Sequence, residues 1–169
     1  AMIRVANQKG INDFPKLKLV AQSIFFLTLI LEIIFALFFV IFHNQLPGLF
    51  VDITNTVNLA KNTEVILIAS QLLVVAAIFQ ISDGIQVVVL GALRGLQDVK
   101  IPMYITFLSY WVIGFPISIY LGLYTHLKAV GIWIGLLAGL TAAALFLYLR
   151  FKYLTEKLII QNISYNEQT

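Results

Sequence analysis

Two stretches of this sequence carry no formal charge, residues 101–125 and residues 129–149, which are 25 and 21 residues long. A helix needs about 20 consecutive apolar residues to cross a hydrocarbon layer about 30 Å thick. Both stretches meet that length, so the second half of the chain is expected to cross a membrane twice. Composition extends the expectation to the rest. Of 169 residues, 60% are hydrophobic and 11% are Asp, Glu, Lys or Arg, against about 45–50% and about 25% in a soluble domain. One aqueous core could not hide that excess.

Two further apolar segments, residues 19–42 and 65–93, have spanning length. The first holds one interior charge, Glu32, and the second is interrupted by Gln71, Gln80, Ser82, Asp83 and Gln86. At 1.5 Å per residue the second is about 43 Å long, so it must tilt, kink near Gly84 or project beyond the hydrocarbon. None of the four alternates apolar and polar residues as membrane β-strands do. The expected fold is all-α: a polytopic membrane helical bundle.

Residues 1–18 read as the end of a preceding helix followed by a surface loop, with Gly10, Asn12 and Pro15 as turn formers. The opening lacks the pattern of a secretory signal, and the chain is expected to be a fragment of a larger membrane protein. Between residues 43 and 62, Leu46, Leu49, Phe50 and Val51 are expected against the bilayer surface, with Asp52 and Thr54 starting a short interfacial turn. Pro102 suits the first turn of the third span. Pro116 predicts a kink there, because a proline inside a helix costs about 3 kcal/mol, and Gly114 would let the bend form. Residues 19–157 make the four-span portion, and 158–169 a polar tail that frays from Asn162. No internal repeat stands out.

If the four spans alternate, one side receives Arg4, Lys9, Lys16, Lys18, Arg94, Lys100, Arg150, Lys152 and Lys157. The other receives Lys61 and Lys128. Basic residues collect on the cytoplasmic side, which predicts a cytoplasmic amino end, Arg94 loop and carboxyl terminus in an inner membrane.

Asp83 lies eleven residues before Arg94, about 16 Å along a helix, and therefore near mid-membrane if Arg94 is interfacial. A carboxylate there must be hydrated, paired or protonated. Gln80, Asp83 and Gln86 rotate by about −60° per step and form one polar stripe facing the protein interior or a water-filled cavity. Asp83 fits a coupling site for sodium or a proton, with a carboxylate fixed by interhelical hydrogen bonds as the alternative. Glu32 is either a second coupling or substrate-facing carboxylate or an interior structural group. Tyr110 and Trp111 either line a cavity or pack. Arg94 is expected to anchor the interface through lipid headgroups or Asp98, with a gating salt bridge as the alternative. Gly131, Gly135 and Gly139 form a ridge for close helix approach, within the bundle or in a dimer.

The chain has no cysteine, which excludes thiol catalysis and cysteine-ligated metals, and His43 and His126 lack neighbours for a metal site. No phosphate-cradling Gly-rich loop or nucleophile–base set suggests an enzyme. Membrane topology accounts for the basic loops without nucleic acid.

The run from Phe79 through Ile81, Ser82, Asp83 and Gly84 to Gly91, Arg94 and Gly95, then Asp98 and Pro102, resembles the tenth-helix region of multidrug and toxic compound extrusion (MATE) transporters, NorM branch. The likeness continues through Tyr110, Trp111, Gly114 and Pro116 to Gly131, Trp133 and Gly135. It implies the last four of twelve helices of an inner-membrane antiporter that exports amphipathic, often cationic organic compounds against sodium or proton entry. It further implies that Asp83 is the coupling residue, holding no metal other than sodium, and that no cofactor is needed; Gly84, Gly114 and Pro116 are expected as hinges from their own backbone chemistry. The implied partners are the amino-terminal portion of the same transporter, an organic drug or toxic cation, and membrane lipids, in a monomer. Lys9 and Asn12 depart from the family's Leu-Gly-x-Gly pattern. A flippase for a lipid-linked substrate and a non-transporting scaffold are the competing functions.

Overall fold

The computed structural model describes residues 1–50 and 59–166. The expected turn at Asp52 and Thr54, and Val51 with it, falls outside the described residues. Among the described residues, six α-helices lie in the order α1 (Met2–Gly10), α2 (Phe14–Phe42), α3 (Leu59–Gly95), α4 (Lys100–Leu108), α5 (Phe115–Leu123) and α6 (Lys128–Asn166). A 3-10 turn at Pro47–Leu49 follows α2, and a π-helical turn at Ser109–Gly114 joins α4 to α5. Among the described residues, four segments are long and apolar enough to span a membrane: Phe14–Phe42, Asn62–Gly95, Lys100–Leu123 and Lys128–Ser164. The chain is an all-α membrane helical bundle.

Helix starts and ends follow hydrogen-bonding chemistry more than hydropathy. α2 begins five residues before its apolar run because the Asp13 carboxylate accepts the Lys16 N–H at 3.1 Å and Pro15 sits in the first turn, a favourable start. Phe14 and Leu17 are buried there beside Val5 and Leu93. α6 likewise outruns its apolar stretch. Residues expected to fray from Asn162 stay helical to Asn166, because Leu154, Leu158 and Ile159 pack against the core and the Asn162 amide donates to the Asn12 carbonyl at 3.2 Å.

The first eighteen residues hold a true helix, α1, which lies against α3. Its backbone comes so close that a Cβ on Gly95 would sit 2.6 Å from the Met2 carbonyl oxygen. α1 and α3 end in the same way. Asn12 N–H donates to Lys9 O and Asp13 N–H to Gln8 O, while Gln97 N–H donates to Arg94 O and Asp98 N–H to Leu93 O. With Asn12 at φ 57° and Gln97 at φ 63°, both are left-handed helix terminations of the Schellman type. Gly10-Ile-Asn-Asp13 and Gly95-Leu-Gln-Asp98 are thus two copies of one turn, a short repeat visible in the sequence once the geometry is known. Lys9 Nζ links them, donating to the Leu96 carbonyl at 2.9 Å and to Gln97 Oε1 at 3.1 Å.

α6 is the central helix, packing on α3 on one side and on α5 and the π turn on the other. The glycine ridge makes the second contact. A Cβ on Gly135 would fall on the backbone of Ser118, and one on Gly139 would lie 2.8 Å from the Gly114 Cα. Ser118 Oγ closes the seam by donating to the Ile132 carbonyl at 3.0 Å.

Pro116 is accommodated by the π turn that precedes it. A proline ring collides with the carbonyl four residues back, here Val112, and a wider π turn removes that carbonyl from the α-helical ladder. No such turn interrupts α3, which stays α-helical through Gly84. Its 37 residues extend about 55 Å, so it exceeds the hydrocarbon thickness.

Candidate functional site

The expected polar stripe on α3 is present, and its three members have different neighbours. Gln80 and Gln86 lie about 120° apart around the helix, with Asp83 midway between them. At one edge, Gln80 Nε2 donates to the Glu32 main-chain carbonyl on α2 at 3.2 Å. At the other, Gln86 is buried, and its Oε1 accepts the Tyr110 hydroxyl from the π turn at 3.2 Å. Asp83 is exposed between these two flanks. It makes no hydrogen bond or ion pair with the described residues and lies close enough to Tyr110 to interact with it electrostatically.

Glu32 belongs to the same groove, for a reason no spacing rule would reveal. Its side chain lies over Gly84, where an added Cβ would meet Glu32 Oε1 and sit 2.8 Å from both Cγ and Cδ. Gly84, expected as a hinge, provides room for a carboxylate. Two acidic side chains from different spans therefore meet consecutive positions of α3, Asp83 belonging to it and Glu32 resting on it.

Tyr110 joins this group and Trp111 does not. Trp111 is exposed, between Phe107 and Phe115 with ring centroids 5.9 and 5.4 Å away. They are consecutive residues of the π turn, and successive side chains around a helical turn point to different faces. Gly114 lies in the α5–α6 seam against Gly139, and Pro116 is exposed beside it.

Arg94 is exposed in the last turn of α3. Asp98, one expected partner, is paired instead with Arg150 of α6, whose Nε donates to Oδ2 at 2.9 Å. The turn at Gln97 aims the aspartate away from its own helix, so a residue 52 positions later reaches it. A second link between α3 and α6 is the 3.0 Å hydrogen bond between Ser82 and Thr141 hydroxyls. Among the described residues, no three His, Cys, Asp or Glu side chains cluster as metal ligands do.

Four helices of spanning length, basic turns at one end and a carboxylate between two amides define the class: a multi-pass membrane protein with an acidic groove partway along one span. Residues 1–120 match the MatE family, and the chain belongs to that family of multidrug and toxic compound extrusion transporters, on its NorM-like branch. It is 37% identical over 155 residues to the "Probable multidrug resistance protein NorM" of Rhodopseudomonas palustris, covering 92% of this chain and 32% of that protein. It is 34% identical over 156 residues to the "Multidrug resistance protein NorM" of Photobacterium profundum, covering 90% and 32%. A third relative, the "Multidrug resistance protein MdtK" of Yersinia pseudotuberculosis, is 33% identical over 161 residues, covering 93% and 33%. The chain spans about a third of the length of these relatives.

Proposed function

We propose that these helices form part of an inner-membrane antiporter that exports amphipathic, often cationic organic compounds, and that sodium or proton occupancy at Asp83 is coupled to export by alternating access. The supporting observation is the Asp83 carboxylate, about two-thirds along the spanning segment Asn62–Gly95 and without an ion pair among the described residues. Burying a charge at mid-membrane costs about 2.5–3.5 kcal/mol on insertion scales. A bound cation or proton removes that cost, so occupancy and exposure to water become linked quantities.

Coupling requires unequal cation affinity in the two access states. The groove supplies the means, since its walls are separate elements, α2 through Glu32 and the π turn through Tyr110. Displacing either wall changes the hydration of Asp83, and displacing α2 also changes its distance from Glu32. Glu32 is a second carboxylate whose charge raises the cation affinity of the pair. Gly84 sets the spacing of the pair, Gly114 and Pro116 let the α4–α5 span bend, and Arg94 anchors α3 at the cytoplasmic interface. Trp111 and its aromatic neighbours offer an apolar face to an organic substrate. The rest of the transport path comes from the remaining helices of a full-length, monomeric transporter, with no cofactor and no bond-making chemistry.

The test is transport by the Asp83→Asn variant of the complete protein in proteoliposomes, driven separately by a sodium gradient and a pH gradient. Normal insertion with no driven export is expected under whichever gradient drives the wild type. Undiminished coupled export would remove Asp83 from the mechanism.

A further inference from the structure

A cleft of about 610 Å³ separates α2 from α6, with α3 as its floor. Its α3 floor faces away from Asp83: Ile85 and Val89, which line it, are rotated about 160° and 120° around α3 from Asp83, and only its inner end, at Thr28, Leu29 and Ser82, comes within a turn of Glu32 and Asp83. Its walls are almost wholly apolar, with Phe26, Leu29, Val88 and Leu145 among them. Toward the basic end it adjoins a smaller cleft of about 280 Å³. The two share Gln22, Phe25 and Tyr148, so they lie end to end between the same two helices, with a change of chemistry from one to the other.

At the mouth of the smaller cleft stand Lys18 of α2 and Lys152 of α6. Neither makes an ion pair or hydrogen bond with the described residues, and no carboxylate is among the described residues lining this cleft. The helices run antiparallel, and each places its lysine eleven residues from the deepest groove residue, Lys18 from Leu29 and Lys152 from Thr141. Eleven residues are about 16 Å, close to half of a hydrocarbon layer about 30 Å thick. Where the two clefts adjoin, the walls touch: Phe25 of α2 packs edge-on against Phe151 at 5.3 Å and Tyr148 at 6.1 Å, both of α6.

An apolar trough one leaflet deep with two uncompensated cations at its surface end matches one kind of molecule. We propose that the α2–α6 groove binds an anionic phospholipid, its acyl chain along Phe26, Leu29 and Leu145 and its phosphate between Lys18 and Lys152. The proposal does not depend on the transport reading.

Binding of labelled phosphatidylglycerol to the purified full-length transporter, with phosphatidylcholine and glycerol phosphate as competitors, tests this. The wild type is expected to prefer phosphatidylglycerol, and glycerol phosphate is expected not to compete. Changing Lys18→Gln and Lys152→Gln together should weaken binding roughly thirtyfold, since each basic group near an anionic lipid contributes about fivefold, whereas Lys18→Arg with Lys152→Arg should retain it. Ala144→Phe, filling the apolar trough, should abolish binding with both lysines in place. Equal affinity for phosphatidylcholine, full competition by glycerol phosphate, unchanged binding in the glutamine or phenylalanine variants, or equal loss in the arginine variant would each overturn the proposal.

Discussion

The α5–α6 seam and the acidic groove on α3 both depend on glycine, with opposite mechanical results. At Gly135 the missing Cβ admits the backbone of Ser118, and at Gly84 it admits the end of the Glu32 side chain. A backbone held in a helix cannot move aside, whereas a glutamate has several rotatable bonds. The seam is therefore a rigid joint and the groove an adjustable one. The difference places stiffness where Gly135 meets the Ser118 backbone and compliance where Glu32 rests over Gly84.

Four measurements would break or sharpen this contrast. The largest expected effect is on transport: Asp83→Asn in the complete protein should reduce cation-driven export to the level of protein-free liposomes while thermal stability in detergent stays near wild type. A large stability loss instead would make Asp83 a structural member of the bundle. Next comes Gly135→Ala, which should destabilise by about 1–3 kcal/mol, as overpacking does, read as a lower thermal midpoint. The same change at Gly84 should cost less than about 1 kcal/mol, because Glu32 can swing away, yet should alter the cation dependence of export. Equal stability losses at the two glycines would erase the distinction between rigid and adjustable contacts. The smallest effect is Tyr110→Phe, which removes the hydroxyl bonded to Gln86 and should cost about 0.6 kcal/mol, typical of a hydrogen bond between membrane helices. Equilibrium unfolding of the two proteins in the same detergent checks it.

Much of the fold was legible in the residues. The charge-free runs at 101–125 and 129–149 located two spans, and the 3.6-residue period put Gln80, Asp83 and Gln86 on one arc of α3. The ends were less legible, because hydropathy marks where lipid contact stops and not where helical hydrogen bonding stops. Asp13 extends α2 backward, and packing of Leu158 and Ile159 carries α6 forward. The paired turns at residues 10–13 and 95–98 were in plain view as Gly-Ile-Asn-Asp and Gly-Leu-Gln-Asp. They share two residues of four and two conservative replacements, too short a likeness to mark a repeat without the matching hydrogen bonds.

Within the acidic groove, sequence spacing indicated the α3 stripe and left Glu32 isolated on another span. Its position over Gly84, the Tyr110 contact to Gln86 and the Arg150 pairing with Asp98 join residues 52, 24 and 52 positions apart. Local periodicity has no means of encoding such separations.

What the sequence determined alone was solvent and periodicity: a chain this apolar must place its helices in lipid, and a helical repeat sets which side chains share a face. Which faces meet was decided only by tertiary structure. The missing Cβ atoms at 84, 114, 135 and 139 set how near each neighbouring element could come, and a few tenths of an ångström there determine whether a backbone or a carboxylate fits.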